Sequence, residues 1–301
     1  IETLESIKRQ SYLELELIVT DDASNDDTLQ VVQKWTESNK DRFNRVEIVR
    51  SETNTGITPN INRGIKSAKG VYIKLIAGDD LLLETCIEES VRYCNERNLD
   101  FAFSKVLPFI DAKDDRKLEV KLRYEKEKND RIFKLPNKKQ YKKILGGFSL
   151  YINGLVFKAS FIENIGLFDE AYEMMEDYPF VLKISSMGYK MELIGLELVK
   201  YRVRSPDTSK NIKKTRRYIL HMKNLSDFEK KEIIPRVKKE KMYLTLLDIY
   251  IRRLERKIIS STDNNLVEKL GRLVGYFSIL KIADRIKKQY YVIKNKEKCD
   301  E

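Results

Sequence analysis

The stretch KGVYIKLIAGDD, from Lys69 to Asp80, decides the fold class of this chain. Its β-forming residues Val71–Ile76 predict a buried strand, and that strand stops at a glycine and two adjacent carboxylates. Two like charges side by side repel each other, so something must compensate them at a strand end. A bound cation would do so, and so would exposure in a turn. This stretch by itself leaves both explanations open.

Strands and helices alternate along the first two thirds of the chain. Apolar runs predict strands at residues 15–19, 46–51, 71–76 and 100–109, and one or two more within 190–203. Helical patterns lie between them, and Asn25 or Asp26 is the expected N-cap of the helix that follows the first of these strands. This alternation predicts an α/β fold with a mixed, mostly parallel sheet flanked by helices.

Two regions depart from the alternation. Residues 111–143 are dense in charged side chains, and we expect a surface hairpin or a mobile loop there. Residues 111–150 would build the acceptor side of a site. From about Asn211 the pattern becomes helical, with apolar residues at spacings of three and four. We therefore predict a catalytic domain at 1–210 and a basic helical region at 211–301.

Composition excludes several classes of protein. The net charge of +11 lies in the last third, where residues 211–301 hold 24 Lys and Arg against 12 Asp and Glu. No apolar run approaches the roughly 20 residues of a membrane-spanning helix. Three cysteines fit neither a disulfide framework nor a metal motif, which indicates a reducing, cytoplasmic compartment. A single histidine argues against His-based zinc sites and Ser-His triads.

Acidic pairs occur at three places that an α/β sheet would bring to one rim. Ligands of such sheets bind outside the carboxyl ends of the strands. Converging carboxylates there suit a hard divalent cation that holds a phosphorylated ligand. Each pair alone is more often a solvated turn or a helix cap. The three pairs are Asp21 with Asp22, Asp79 with Asp80, and Glu176 with Asp177.

Four segments follow one another along about residues 1–210: ETLESIKRQSYLELELIVTDDASNDDT, NTGITPNINRGIKSAKGVYIKLIAGDD, GLFDEAYEMMEDYPFVLKISSMGYK and YRVRSPDTS. Together and in this order they resemble family 2 glycosyltransferases, which have the Rossmann-like GT-A fold, whereas each segment alone is a weak signal. The resemblance implies a strand before Ile1 that is central in the sheet and absent from this sequence, so we expect the sequence to be incomplete.

The resemblance implies a role for each acidic residue. Asp22 would contact the uracil or ribose of a nucleotide-sugar donor, with a capping role as the alternative. Asp79 would bind Mn²⁺ or Mg²⁺ and Asp80 would assist it or contact the sugar, although Ala77 replaces an acid of the fullest family motif. Asp177 would be the base that activates the acceptor, with Glu176 as its neighbour and inversion as the outcome. Alternatively, both only satisfy a helix N-terminus.

Further residues are implied around the donor. Gly78 would let the backbone approach the ligand. The loop NTGITPNINRG, residues 54–64, would shape the donor pocket. Arg63 in this loop would face the diphosphate or else be a surface arginine. The segment YRVRS would close over the donor. The implied binding residues are Asn54, Gly56, Asn62, Arg63, Arg202 and Arg204.

The basic region 211–301 has three interpretations. It could form a helical cap that makes a homodimer, it could lie on an anionic membrane through its basic side chains, or it could be a soluble subdomain. No motif supports nucleic-acid binding. The membrane interpretation would place the protein at the inner face of the plasma membrane, near a lipid-linked acceptor. Its cations are Arg252, Arg253, Arg256, Lys257, Lys281, Lys287 and Lys288.

The expected function is metal-dependent transfer of a sugar, from a nucleotide sugar that is most simply a UDP-sugar, to a glycan or lipid-linked acceptor. A role in bacterial surface polysaccharide synthesis would fit the family. Because no Gln-x-x-Arg-Trp segment is present, a single addition is expected rather than polymerisation. Two alternatives stay open: a nucleotidyltransferase, and a degenerate module that binds a nucleotide sugar without turnover, for which Ala77 is the motive.

Overall fold

The structure is a computed structural model that describes residues 1–110, 130–148, 150–203 and 216–260. Its strands are β1 (Glu16–Asp21), β2 (Arg45–Arg50), β3 (Tyr72–Lys74), β4 (Leu81–Leu82), β5 (Phe101–Phe109), β6 (Leu155–Lys158) and β7 (Leu193–Arg202). Its α-helices are α1 (Glu2–Lys8), α2 (Thr28–Asn39), α3 (Ile57–Ser67), α4 (Cys86–Glu96), α5 (Asn137–Leu145), α6 (Ala159–Ile165), α7 (Asp177–Ser186), α8 (Arg216–Phe228), α9 (Ile234–Lys239) and α10 (Tyr243–Ser260).

The strands form two sheets within the described residues. β1 pairs with β2 in parallel, and a five-stranded mixed sheet has the order β3-β6-β5-β7-β4. In the larger sheet only the β5–β7 pairing is parallel. The α/β class with helices on a mixed sheet is confirmed, with more antiparallel pairing than the alternation indicated. The reason is that β6 enters between β3 and β5, an arrangement that element order along the chain cannot reveal.

The core of the larger sheet is aromatic. Phe103, Phe157 and Phe161 are almost completely buried, and Phe101 stacks on Phe161 with ring centroids 4.8 Å apart. Phe103 lies opposite Leu155 on β6, while Phe101 lies opposite Phe157. Burial of large apolar side chains is the main stabilising term in folding, so these contacts fix β5 and β6 as the centre of the sheet. The ends of the flanking strands β3 and β7 are positioned by this centre.

Several element boundaries differ from those expected. α2 begins at Thr28, and Asp26 contributes by accepting a hydrogen bond from the Thr28 N–H at 3.0 Å, although the N-cap is Asp27. Residues 130–145 contain a 3-10 turn and α5, so the hairpin or loop predicted at 111–143 is wrong in that part. Residues 111–129 lie outside the described residues. Buried Ile144 and Leu145 supply the apolar contacts that the charged sequence concealed.

The described chain divides into two compact units. The first contains the described residues up to Asn224 apart from Leu145–Gly147. The second contains Leu145–Gly147 and the described residues from Leu225 onward. The domain boundary that we predicted after residue 210 falls outside the described residues and stays a prediction. Among the described helices, none combines the length and the apolar character needed to cross a bilayer.

The second unit uses its arginines internally. Arg253 and Arg256 both pair with the buried carboxylate of Glu229, and Arg252 pairs with buried Asp248 at 2.9 Å. Three cations of the membrane interpretation are therefore engaged by buried acids, because an uncompensated buried carboxylate would be costly. The exposed side chains of α10 are instead apolar at several positions: Tyr243, Leu244, Leu247, Tyr250 and Leu254.

Candidate active site

The two adjacent aspartates at the end of the opening stretch have different environments. The Asp80 N–H donates to the carbonyl of Ala77 at 3.1 Å, which closes a turn between β3 and β4. Asp80 is buried, and its carboxylate accepts one bond from the Asn153 amide at 2.8 Å and one from the Arg202 N–H at 3.0 Å. Asp79 is only half-buried. One carboxylate therefore anchors the turn while its neighbour lies at the surface.

Burial acts on the charge of Asp80. Desolvation is the largest influence and raises the pKa of the Asp80 carboxyl, whereas the hydrogen bonds from Arg202 and Asn153 oppose the rise. Nearby Lys74 is held by the backbone carbonyls of Asn153 and Leu155, and burial lowers the pKa of its ammonium group. The Lys74 cation and the Asn153 amide thus fix the 3-10 turn Ile152–Gly154 beside Asp80.

Arg202 braces the same turn from β7. Its Nε donates to the carbonyl of Asp79 at 2.9 Å, and its guanidinium also pairs with Glu2 and lies over the Phe109 ring. α1 adds a further contact, since the Thr3 hydroxyl donates to the Gly78 carbonyl at 2.8 Å. Arg202 was expected to close over a donor, and here its side chain holds the turn that carries the two aspartates. Arg204 lies outside the described residues.

Asp22 lies at the end of β1 and organises a loop. Its carboxylate accepts hydrogen bonds from the Thr55 N–H and hydroxyl, from the Gly56 N–H at 2.7 Å and from Arg63 at 2.7 Å. Burial alone would raise the pKa of Asp22, but the donors on Thr55, Arg63 and Gly56 together lower it. The Asn54 amide donates to the Asp22 carbonyl at 3.2 Å. Asp22, Asn54, Gly56 and Arg63 are therefore brought together.

Replacing Asp22 with Asn is expected to cost about 1.5–3 kcal/mol of unfolding free energy, the range for hydrogen bonds to a charged group. Because folding lowers the pKa of Asp22, its contribution is complete above the unfolded pKa of about 3.9 and is lost as pH falls through the folded value. Urea denaturation of both proteins between pH 7 and pH 3 measures this. The difference in unfolding free energy between the wild type and Asp22→Asn should become smaller towards pH 3. The control variant Glu52→Gln, at an exposed position, should change the unfolding free energy by less than about 0.5 kcal/mol.

The loop held by Asp22 is joined to the segment before α7. The Thr58 N–H donates to the Glu173 carbonyl at 3.0 Å and its hydroxyl donates to the Tyr172 carbonyl at 2.9 Å. Asn62 is buried, and its amide bonds Phe168 and Glu170. Any influence of Asn62 on a donor pocket is therefore indirect, through the position of this segment. The start of α3 links the Asp22 loop to the Glu176–Asp177 pair.

Gly56→Ala should destabilise the protein by about 1–3 kcal/mol or more, because Gly56 has φ +99° and an added Cβ would lie 2.9 Å from both the Cβ and the carbonyl oxygen of Glu173. Gly78 offers a matched control, since an added Cβ there meets nothing within 4 Å and its φ is not positive. Gly78 therefore does not need a left-handed backbone, and its expected approach to a ligand stays a prediction. Thermal unfolding of Gly56→Ala and Gly78→Ala measures the difference, and equal melting temperatures would contradict the assignment.

Glu176 and Asp177 stand at the start of α7. The Asp177 carboxylate accepts a bond from the Tyr178 N–H at 2.6 Å, so it contributes to the helix N-terminus as the alternative interpretation expected. Glu176 is the N-cap position but makes no side-chain cap bond. The segment before them is held by α8, because Asn224 accepts from the Met174 N–H at 3.1 Å. These contacts fix the acidic pair without enclosing it.

The phenol of Tyr201 is influenced by the charges of two acidic pairs. Tyr201 is the residue before Arg202 on β7, and burial is the first cause that raises its pKa. Negative charges on four carboxylates raise this pKa further, because they disfavour the charged phenolate. In decreasing order of effect they are Asp80, Asp79, Asp177 and Glu176. The pair Asp21 and Asp22 is not among these carboxylates. Asp21 is buried and pairs with Arg50, and Asp22 accepts hydrogen bonds from the Thr55–Gly56 loop.

Sequence reasoning missed three residues of this site. Asn153 and Lys74 support Asp80 but belong to no motif, and Tyr201 begins the segment YRVRS, in which only the arginines were singled out. The described residues contain no group of three His, Cys, Asp or Glu side chains that could hold a metal ion.

Comparisons with known proteins agree with these segments. The family model "Glycosyl transferase family 2" matches residues 1–155. An uncharacterized glycosyltransferase of Methanocaldococcus jannaschii is 26% identical over 239 residues, which are 75% of this chain and 76% of that protein. The UDP-Glc:alpha-D-GlcNAc-diphosphoundecaprenol beta-1,3-glucosyltransferase of Escherichia coli is 26% identical over 212 residues, or 69% of this chain and 74% of that protein.

A solved structure resembles the fold. The crystal structure of S. aureus TarS residues 1–349 in complex with UDP-GlcNAc superposes with a TM-score of 0.52 at 17% identity, covering 100% of this chain and 88% of that one. At this identity the likeness supports the fold, which is the GT-A architecture expected from the four sequence segments. The family match spans half of the chain and includes both strand ends that carry acidic pairs, at Asp22 and Asp79. The chain therefore belongs to glycosyl transferase family 2 and is a glycosyltransferase.

Proposed function

We propose that this enzyme transfers a sugar from a UDP-sugar to a hydroxyl of a glycan or lipid-linked acceptor, with inversion at the anomeric carbon. The observation that carries the proposal is the turn with Asp79 and Asp80, which the Asn153 amide and the Arg202 N–H hold in a chain of glycosyl transferase family 2. The names of similar proteins support the substrate classes: the E. coli relative uses UDP-Glc and a diphosphoundecaprenol-linked sugar, and TarS binds UDP-GlcNAc. A part in surface polysaccharide synthesis follows from that relative.

Asp177 is proposed as the base. The acceptor oxygen bonds to the anomeric carbon, the bond from that carbon to the phosphate oxygen breaks, and UDP leaves with the bonding electrons. The hydroxyl proton passes to the Asp177 carboxylate. Because attack is in line with the departing phosphate, one displacement inverts the configuration. Glu176 adjoins Asp177 at the start of α7 and is proposed as its neighbour in the site.

The donor set around Asp79 fits a hard divalent cation. Mg²⁺ is commonly held by one or two carboxylates, with substrate phosphates and water completing its shell, so the lack of a three-residue cluster in the described chain agrees with such a site. Asp79 would hold the ion directly, and Asp80, whose oxygens accept bonds from Asn153 and Arg202, would fix the turn beneath it. When bound, the cation neutralises charge that develops on the leaving diphosphate.

The Asp22 loop is proposed as the nucleotide side of the site. Asp22 already accepts bonds from Thr55, Gly56 and Arg63, so a direct bond to uracil or ribose would replace one of them. Its main effect in this proposal is to fix the Asn54–Gly56 loop and to orient the Arg63 guanidinium. Ordered, charged donors of this kind suit a nucleoside diphosphate. Arg63 thus remains the proposed contact to the diphosphate.

The test is UDP release from a panel of UDP-sugars, with and without Mn²⁺, followed by NMR of the anomeric proton in the product. We expect metal-dependent release with one donor and a product of inverted configuration. Retained configuration would contradict the direct displacement. Binding of UDP-sugars that raises the melting temperature, without release under any condition including added glycan and lipid-linked acceptors, would instead support the degenerate binding module.

A further inference from the structure

Two tyrosines lie side by side next to the acidic groups of the proposed site. The rings of Tyr151 and Tyr201 have centroids 5.5 Å apart and are tilted by 45°. Tyr201 is 37% exposed near the end of β7, and Tyr151 is half-buried just before the Ile152–Gly154 turn. By contrast, the stacked pair Phe168–Phe180 is almost completely buried. The tyrosine pair is thus an aromatic surface that solvent reaches.

The hydrogen bonds around Asp80 fix the place of the tyrosine pair. Tyr201 directly precedes Arg202, whose N–H donates to one Asp80 oxygen, and Tyr151 is two residues before Asn153, whose amide donates to the other. In the antiparallel β4–β7 pairing Leu81 lies opposite Lys200, so the next step along both strands brings Asp80 beside Tyr201. Each of the two residues that donate to Asp80, Asn153 and Arg202, is therefore close in sequence to one tyrosine of the pair, and the pair lies beside the Asp79–Asp80 turn.

The charges of Glu176 and Asp177 also act on the Tyr201 phenol, after those of Asp80 and Asp79 in size. The two reacting oxygens of a sugar transfer belong between those groups. A pyranose ring has one apolar C–H face and a rim of hydroxyls, so it can pack on an aromatic ring while its hydroxyls bond carboxylates. A diphosphate would instead be repelled by these acids wherever no cation compensates them.

We propose that Tyr151 and Tyr201 bind the pyranose ring of the acceptor and present its hydroxyl to Asp177. The proposal rests on the proposed function, because it needs Asp177 as the base. The solvent exposure of Tyr201 gives the acceptor ring a way in, whereas the donor is held from the Asp22 loop and the Asp79 turn. The ring of Tyr201 supplies the contact, and its hydroxyl is dispensable for packing.

The experiment compares Tyr201→Leu, Tyr201→Phe and the control Tyr243→Leu, which removes an exposed tyrosine from the second unit. Saturation-transfer NMR is recorded with methyl glycosides of glucose, galactose and N-acetylglucosamine, in the presence of UDP and Mn²⁺. Acceptor-free hydrolysis of the UDP-sugar is measured in parallel. We expect Tyr201→Leu to weaken sugar binding roughly three- to tenfold, the range for one aromatic contact. The control Tyr243→Leu should hydrolyse the UDP-sugar within about twofold of the wild type.

Tyr201→Phe and Tyr243→Leu should bind the methyl glycosides as the wild type does. Unchanged sugar binding in Tyr201→Leu, or no saturation of any methyl glycoside by the wild type, would overturn the proposal. Loss of acceptor-free hydrolysis in Tyr201→Leu would also overturn it, since the ring would then act on the donor. If the wild type binds the glycosides but releases no UDP under any condition, including added glycan and lipid-linked acceptors, the proposed function fails while the sugar surface stands.

Discussion

Asp177→Asn is expected to lower the rate of UDP release by about 10²- to 10⁴-fold, the range that a positioned base contributes. Asn preserves the size of the side chain and can still accept the bond from the Tyr178 N–H at the start of α7. It cannot take a proton from the acceptor, so the loss should appear in kcat and not in binding. The measurement is the initial rate at saturating UDP-sugar, with the donor that gives the largest thermal shift.

The control for this variant separates chemistry from folding. Asp177→Asn should melt within about 2 °C of the wild type and keep the rise in melting temperature that the UDP-sugar causes. Glu176→Gln should lose less activity than Asp177→Asn, because the neighbour influences the base only through its charge. If Asp177→Asn keeps more than a tenth of the rate while Glu176→Gln does not, Glu176 is the base. If both variants keep it, the base lies elsewhere.

Asp79→Asn should remove the metal-dependent part of donor binding and slow turnover by about 10²- to 10⁴-fold. Charge stabilisation by a bound cation is worth several kcal/mol, and each 1.4 kcal/mol is a factor of ten in rate. With excess ligand, UDP and Mn²⁺ should raise the melting temperature of the wild type by about 5 °C and that of the variant by much less. The unliganded variant should melt like the wild type, because Asp79 is half-buried at the surface of the turn.

Asp80→Asn is the matched comparison on the adjacent residue. Both oxygens of Asp80 accept N–H donors, so the amide of Asn would turn an N–H towards Asn153 or Arg202. We expect a loss of stability of about 1–3 kcal/mol for a buried donor left unsatisfied, even without ligand. If instead Asp80→Asn abolishes the Mn²⁺ effect at unchanged stability, and Asp79→Asn does not, the roles of the two aspartates are reversed.

The sequence predicted much of the fold because its signals are local. Apolar runs of β-formers located the strands that became β1, β2 and β5 to within a residue or two, and α7 begins within a residue of its predicted start. The hairpin or loop predicted at 111–143 was wrong in its described part, which contains a 3-10 turn and most of α5. Only Gln140, Ile144 and Leu145 of α5 are buried, and the remaining side chains of this helix are largely polar. Local composition there reflected the solvated face rather than the packed one.

Sequence by itself determined the class of enzyme and the places of its acids: at the ends of β1 and β3 and at the start of α7. Tertiary structure alone decided the environment of each acid. The properties of a carboxylate depend on its burial and on its hydrogen-bond donors, which come from distant parts of the chain: Asp80 is buried and bonded by Asn153 and Arg202, whereas Asp79 is only half-buried. Because desolvation and hydrogen bonding depend on those distant contacts, two adjacent and identical residues have different environments.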